Sequence, residues 1–89
     1  MSEKIWSDDA WDDYLNWQVQ DRKTVRRINQ LIRDIERNGC TEGIGKPEAL
    51  SGSLSGEYSR RINDKDRLVY HMENGRIYIV GCKVHYSDK

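Results

Sequence analysis

The sequence predicts an α+β domain in which two N-terminal helices pack on one face of a twisted, mostly antiparallel sheet of about five strands. Three observations carry this prediction. Two segments with helical periodicity follow each other between residues 7 and 38. Three β-rich runs, Tyr58–Ile62, Arg67–Met72 and Arg76–Tyr86, fill the C-terminal third. The links between those runs, Asn63-Asp64-Lys65-Asp66 and Glu73-Asn74-Gly75, are long enough only for chain reversal. Asn-Gly between β-rich runs is a strong hairpin signal, because both residues tolerate the positive φ of a type I′ turn.

Taken in order, Glu3-Lys4-Ile5-Trp6 is a short extended segment, expected as an edge strand of the same sheet. Ser7 reads as a helix N-cap, with Asp8 and Asp9 in the first turn where the macrodipole favours anions. Trp11, Tyr14, Leu15 and Val19 follow at helical spacing, so the first helix runs to about residues 18–20 and Trp11 is expected in the core. Asp21 caps a second helix from Arg22 to Asn38, and Gly39 supplies its stop. On that helix Val25, Ile28, Leu31, Ile32 and Ile35 share an arc of about 120°, and Arg22, Lys23, Arg26, Gln30, Arg33 and Arg37 share the opposite side. The apolar stripe docks on the sheet and the basic stripe faces outward. Residues 39–56 hold five glycines and the single proline, a long connection that matches no phosphate-binding loop. Along Arg67–Met72, alternation puts Arg67, Val69 and His71 on one face and Leu68, Tyr70 and Met72 on the other.

The 89 residues are 36% hydrophobic and 34% charged, with no apolar run near 18 residues. That fits one domain, residues 1–89, and excludes an α-helical membrane span. The N-terminus has no apolar signal core, so a cytoplasmic protein is expected. Cys40 and Cys82 lack metal-ligand or redox spacing and are expected as reduced thiols. Zero net charge conceals segregation. Residues 1–21 carry one base and six acids, residues 22–46 seven bases and three acids, and residues 47–89 seven and six. Such clustering favours an anionic partner on one surface, and the basic helix face is suited to phosphate contacts.

No histidine and carboxylate set has metal-ligand spacing, since His71 and His85 lie on separate strands, so no metal site is expected. Three groups stand out instead: Glu48 in the segment Gly45-Lys46-Pro47-Glu48, the arginines Arg60, Arg61 and Arg67, and the pair His85-Tyr86. Arg61, Arg67, Lys83, His85 and Tyr86 would sit on stiff strands, placed for a binding or reactive surface. Carboxylate, guanidinium and imidazole together are the means of metal-independent RNA cleavage. A base takes the ribose 2′-OH proton, a cation holds the phosphate, and an acid protonates the leaving 5′-oxygen.

Order and local sequence add a resemblance. Ile5-Trp6-Ser7, Trp11-Asp12-Asp13-Tyr14-Leu15, Lys46-Pro47-Glu48, Leu54-Ser55-Gly56, Tyr58-Ser59-Arg60-Arg61-Ile62, Arg67-Leu68-Val69-Tyr70 and His85-Tyr86 resemble, in register, the YoeB/Txe family of bacterial toxin–antitoxin modules, within the RelE-like superfamily. The resemblance implies a RelE-like, microbial ribonuclease-like fold and an mRNA endonuclease that works in the ribosomal A site and inhibits translation. It implies no cofactor. It implies as partners the ribosome, A-site mRNA and a cognate YefM/Axe-like antitoxin, and it is compatible with a homodimer. By the same resemblance Glu48 is the general base, Arg67 the phosphate-stabilising cation, His85 the general acid and Tyr86 an aromatic that orients RNA. Arg61 and Lys46 are then RNA contacts. Lys83, on its strand, is read as another RNA contact, and the basic face of the second helix, Arg22, Arg26, Arg33 and Arg37, is expected to dock on the ribosome. Two departures are visible: Ser87-Asp88-Lys89 follow the His-Tyr pair, and Ser51 stands where relatives carry a basic residue. The alternative is a non-catalytic member that binds RNA or the ribosome, or acts mainly through an antitoxin-bound repressor complex.

Overall fold

A computed structural model of the chain describes residues 2–84. The expected helices form with the expected caps. Helix α1 spans Asp8–Gln20 behind Ser7, whose Oγ accepts from Ala10 N at 3.0 Å. Helix α2 spans Arg22–Asn38 behind Asp21, which accepts from Lys23 N and Thr24 Oγ1. Gly39, at φ 87°, ends α2 in a conformation that costs other residues energy, and its N–H donates to Ile35 O.

Among the described residues, five strands form one sheet: β1 Lys4–Trp6, β2 Glu48–Ala49, β3 Tyr58–Arg61, β4 Arg67–Glu73 and β5 Arg76–Val84. Their order is β1-β5-β4-β3-β2, with β1 parallel to β5 and every other pair antiparallel. Asn74 and Gly75 both take positive φ in the β4–β5 turn, as the Asn-Gly signal requires. Between β2 and β3 lies a single 3-10 turn, Gly52–Leu54.

The α2 stripe packs as its periodicity predicts. Ile28, Leu31, Ile32 and Ile35 are buried against Leu68, Tyr70, Ile77 and Ile79 of β4 and β5. Each such side chain contributes about 1.5–3 kcal/mol of burial. Helix α1 behaves differently. Its buried side chains are Ala10 and Trp17, whereas Trp11, Leu15 and Val19 are exposed, Val19 at 89%. The expectation that Trp11 belongs to the core is therefore corrected. Trp11 instead joins Trp6 and Tyr14 in a partly exposed aromatic group with ring centroids 4.7–5.9 Å apart.

The reason lies in β5. Its register against β4 slips twice, so that Arg67 faces Val84, Val69 faces Gly81 and Tyr70 faces Ile79. Cys82 falls in the irregular stretch, and α1 supplies its partners. Asp13 accepts from Cys82 N at 3.1 Å, and Trp17 Nε1 donates to Cys82 O at 2.7 Å. Helix α1 must therefore turn its Ala10, Asp13 and Trp17 side to the sheet, and the Trp11-Leu15-Val19 side faces out. Both cysteines are free thiols, and burial pushes that of Cys82 up to about 12.

Candidate active site on the open face of the sheet

Residues directly opposite in an antiparallel pair share a face, and so do residues two apart along a strand. Glu48 faces Ser59, Ser59 faces Val69 and Arg61 faces Arg67. Glu48, Ser59, Arg61, Arg67 and Val69 consequently lie on one face, opposite the Leu68 and Tyr70 core side. Glu48 is a diagonal neighbour of Arg61, at a typical Cβ separation of about 7–8 Å. Arg61 and Glu48 are exposed and Arg67 is half-buried. The alternation thus brings one carboxylate and two guanidinium groups together on one face, around the buried Ser59 and Val69. Two guanidinium groups beside one carboxylate can cradle a phosphate while the carboxylate accepts a proton.

The turn between β3 and β4 holds these arginines. Asn63 Oδ1 accepts from the N–H groups of Lys65 and Asp66, both at 2.8 Å, and Ile62 N donates to Asp66 O at 3.0 Å. That side-chain turn closes the hairpin one residue beyond Arg61 and one before Arg67. Arg67 Nη1 donates back to Asn63 O at 3.4 Å.

Lys46 is exposed, with φ 53°, two residues before Glu48. Lys83 is not gathered with the arginines: its Nζ lies 5.2 Å from the Trp17 ring centroid, toward α1. His85 and Tyr86 lie outside the described residues. The last residue before them, Val84, is the cross-strand partner of Arg67. Arg22, Arg26, Arg33 and Arg37 are all exposed along α2, away from the open face. A groove of about 640 Å³ runs between β1 and α2, walled by Trp6, Ile32, Arg33 and Arg37, and does not include Glu48, Arg61 or Arg67.

Two further residues shape the site, one placed by alternation as the sequence predicts and one not visible from sequence. The first is His71, which shares the open face through alternation from Arg67 and Val69. Its Nδ1 lies 2.8 Å from Glu57 Oε1, and its ring stacks on Tyr78 at 4.8 Å. Alternation along β4 was the available signal for its placement. The second is Arg60, grouped with Arg61 and Arg67 in the sequence reading. It is wholly buried on the helix side. Its Nε donates to Tyr70 Oη, its Nη1 to Asp34 Oδ2 and Ile44 O, and its Nη2 to Gly39 O and Glu42 O. All five guanidinium protons are used. Tyr70 Oη passes a bond on to Cys40 O at 2.7 Å. Arg60 is therefore the post around which residues 39–44 are wound, and it has no donor left for a substrate.

The hydrogen bond from Arg60 holds the Asp34 carboxyl below its ordinary value of 3.8. A depressed carboxylate pKa stabilises the fold above the ordinary carboxylate range, and that stability is lost as pH falls through the lowered value. Asp34→Asn should therefore be less stable than the parent at pH 7, with the gap closing below about pH 4. Urea midpoints between pH 7 and 3 measure it, and a constant gap would show that the Asp34 charge contributes nothing.

Comparison with known proteins places the chain in a family. Residues 6–86 match the family described as the YoeB-like toxin of bacterial type II toxin–antitoxin systems. Toxin YoeB of Escherichia coli (strain K12) is 49% identical over 82 residues, 92% of this chain and 96% of that protein. The structure of a heterotetrameric YoeB–YefM toxin–antitoxin complex from Staphylococcus aureus contains a chain with 48% identity and a TM-score of 0.90, covering 97% of this chain and 99% of that one. A structure described as the YoeB dimer from the same organism gives 48% identity and a TM-score of 0.91, covering 96% and 98%. With the match spanning nearly all of its length, the chain belongs to the YoeB family of toxins of bacterial type II toxin–antitoxin systems.

Proposed function

We propose that this toxin is an endoribonuclease that cuts mRNA in the ribosomal A site and so inhibits translation. The observation that carries the reading is the placement of Glu48, Arg61 and Arg67 on one open face by strand register. In this reading Glu48 takes the proton of the ribose 2′-OH, and the freed oxygen attacks the adjacent phosphorus. Arg67, with Arg61 beside it, holds the charge that builds on the phosphate oxygens. His85 returns a proton to the departing 5′-oxygen while Tyr86 orients the nucleotide. Lys46 contributes an RNA contact, whereas Lys83, turned toward α1, takes no part in this reading. Glu48 and Arg61 are exposed on this face, which suits a strand presented by a large partner.

The products of this route are a 2′,3′-cyclic phosphate or 3′-phosphate and a 5′-hydroxyl, with no metal ion needed. Replacing the one 2′-OH at the scissile position by hydrogen should abolish cutting, and end-group analysis of the unmodified mRNA should find 5′-hydroxyls. A 5′-phosphate would instead indicate metal-activated water and overturn the mechanism.

Ribosome docking is assigned to the exposed arginines of α2. Contacts between cations and rRNA phosphates supply salt-dependent affinity without touching the scissile bond. Changing Arg26, Arg33 and Arg37 together to Glu should weaken ribosome binding most at low salt and flatten its salt dependence, the defect shrinking as salt rises. The cleavage rate should be largely restored at saturating toxin. Equal binding of both proteins across a salt series would return the basic stripe to ordinary solvated surface.

A cognate YefM/Axe-like antitoxin is the proposed inhibitor, in line with the Staphylococcus aureus complex of 48% identity. A second copy of the chain is a further partner, in line with the dimer described for that organism. The exposed Trp11, Leu15 and Val19 stripe of α1 is apolar surface available for such contacts. A single domain acting in the cytoplasm completes the reading. No helix among the described residues is long and apolar enough to cross a membrane.

A further inference from the structure

We propose that the ion pair of buried Arg60 with partly buried Asp34 is a positioning device for Glu48, fixing the path by which the chain delivers that carboxylate to its face of the sheet. The inference rests on the reading of Glu48 as the general base.

Glu48 lies on a strand that cannot hold itself in place. β2 has two residues, both exposed, at the edge of the sheet. Segments with so few buried contacts open at little free-energy cost. Its position has to be imposed from outside, and the upstream side offers a rigid anchor. Arg60 gathers the carbonyls of Gly39, Glu42 and Ile44. Asp34 Oδ2 takes Arg60 Nη1 and also accepts from Ile44 N at 3.0 Å, so the ion pair grips both backbone groups of Ile44.

The winding is tight enough to exclude side chains. A Cβ on Gly43 would lie 1.8 Å from Asp34 Oδ2, and one on Gly45 would lie 2.8 Å from Leu31 Cδ2. Gly45 O then accepts from Arg61 N at 2.7 Å, tying the exit of the loop to β3. Three residues later comes Glu48, after Lys46 at φ 53° and a proline that limits the backbone. Adjacent residues of β3 thus divide the work. Arg60 points to the helix side and shapes the approach of the base, and Arg61 points to the open face beside it.

The pair touches no reacting atom, so its effect must travel through Glu48. Asp34→Asn keeps the shape and a neutral acceptor but removes the charge that grips Arg60. Folded Asp34→Asn, verified by circular dichroism, should bind programmed ribosomes within about 3-fold of the parent. Its single-turnover cleavage rate at saturating toxin should fall about 10–100-fold, the scale of a small misplacement of a reacting group. The loss should not multiply with that of Glu48→Gln: the double variant should be as slow as Glu48→Gln alone. A role confined to stability would leave the rate of the folded fraction unchanged. Gly45→Ala, which disturbs the same segment while leaving the ion pair intact, should reproduce the loss of rate with binding preserved.

Cleavage by folded Asp34→Asn and Gly45→Ala within 3-fold of the parent, beside a slow Glu48→Gln, overturns the positioning role alone. Fully multiplicative losses overturn it as well. A Glu48→Gln protein that cuts at the parent rate overturns the catalytic reading, and this inference with it.

Discussion

Glu48→Gln should slow mRNA cleavage at saturating toxin by about 10²–10⁴-fold while ribosome binding stays unchanged. The substitution keeps the size of the side chain and removes its capacity to accept a proton. Glu48 is exposed, and its backbone pairs with Ser59 whichever side chain it carries, so the fold should not respond. A defect in maximal rate without a defect in affinity separates loss of transition-state stabilisation from loss of binding. Single-turnover cleavage of a defined A-site codon, together with sedimentation binding to the same ribosomes, measures both. Cleavage within 3-fold of the parent would remove Glu48 from the chemistry and leave an exposed edge carboxylate.

Arg60→Met should destabilise the fold by about 3–5 kcal/mol, because it removes one partner of a buried ion pair and leaves the others unpaired. Methionine fills much of the space of the aliphatic stem. It offers nothing to Asp34, to the carbonyls of Gly39, Glu42 and Ile44, or to Tyr70 Oη. Arg61→Met, one residue along and exposed, should stay within about 0.5 kcal/mol of the parent while losing cleavage. Urea unfolding of the two variants side by side is the measurement. Arg60→Met as stable as Arg61→Met would show that the loop from Gly39 to Ile44 holds its shape without the guanidinium.

The contrast between these neighbours marks how far the sequence could be read. Caps and turns carry their signal locally, so Ser7, Asp21, Gly39 and Asn74-Gly75 stood out and each lies where expected. The α2 stripe was equally plain, since five apolar residues in one arc have one way to be buried. Helix α1 was not. Trp11, Leu15 and Val19 keep helical spacing as well as Ala10 and Trp17 do. What chose between the two sides was the irregular register of β5, a long-range fact with no trace in the helix itself. The two-residue β2 was invisible for a related reason, because its pairing depends on β3 some ten residues away.

The candidate site divides in the same way. Alternation along β4 placed Arg67 opposite the core side, and the register of β3 placed Arg61 beside it. Nothing in the string Tyr-Ser-Arg-Arg-Ile distinguishes an arginine that will be buried from one that will not. Arg60 is buried because Asp34, 26 residues earlier, waits on the inner side of α2, and the loop carbonyls between them require donors.

The strand order has a consequence for the life of the molecule before it is complete. β5, the last strand of the described residues, lies between β1, the first, and β4. It is also the strand to which α1 is fastened, through Cys82, and to which Ser7 is tied through Ile79 O and Val80 O. Such pairing between the two ends of a chain closes late, since the entropy of bringing them together is met only when both are present. A nascent chain that still has β5 inside the ribosome can neither seat its first helix nor complete its core. Seating of the first helix and closure of the sheet thereby wait until β5 has left the ribosome that makes it.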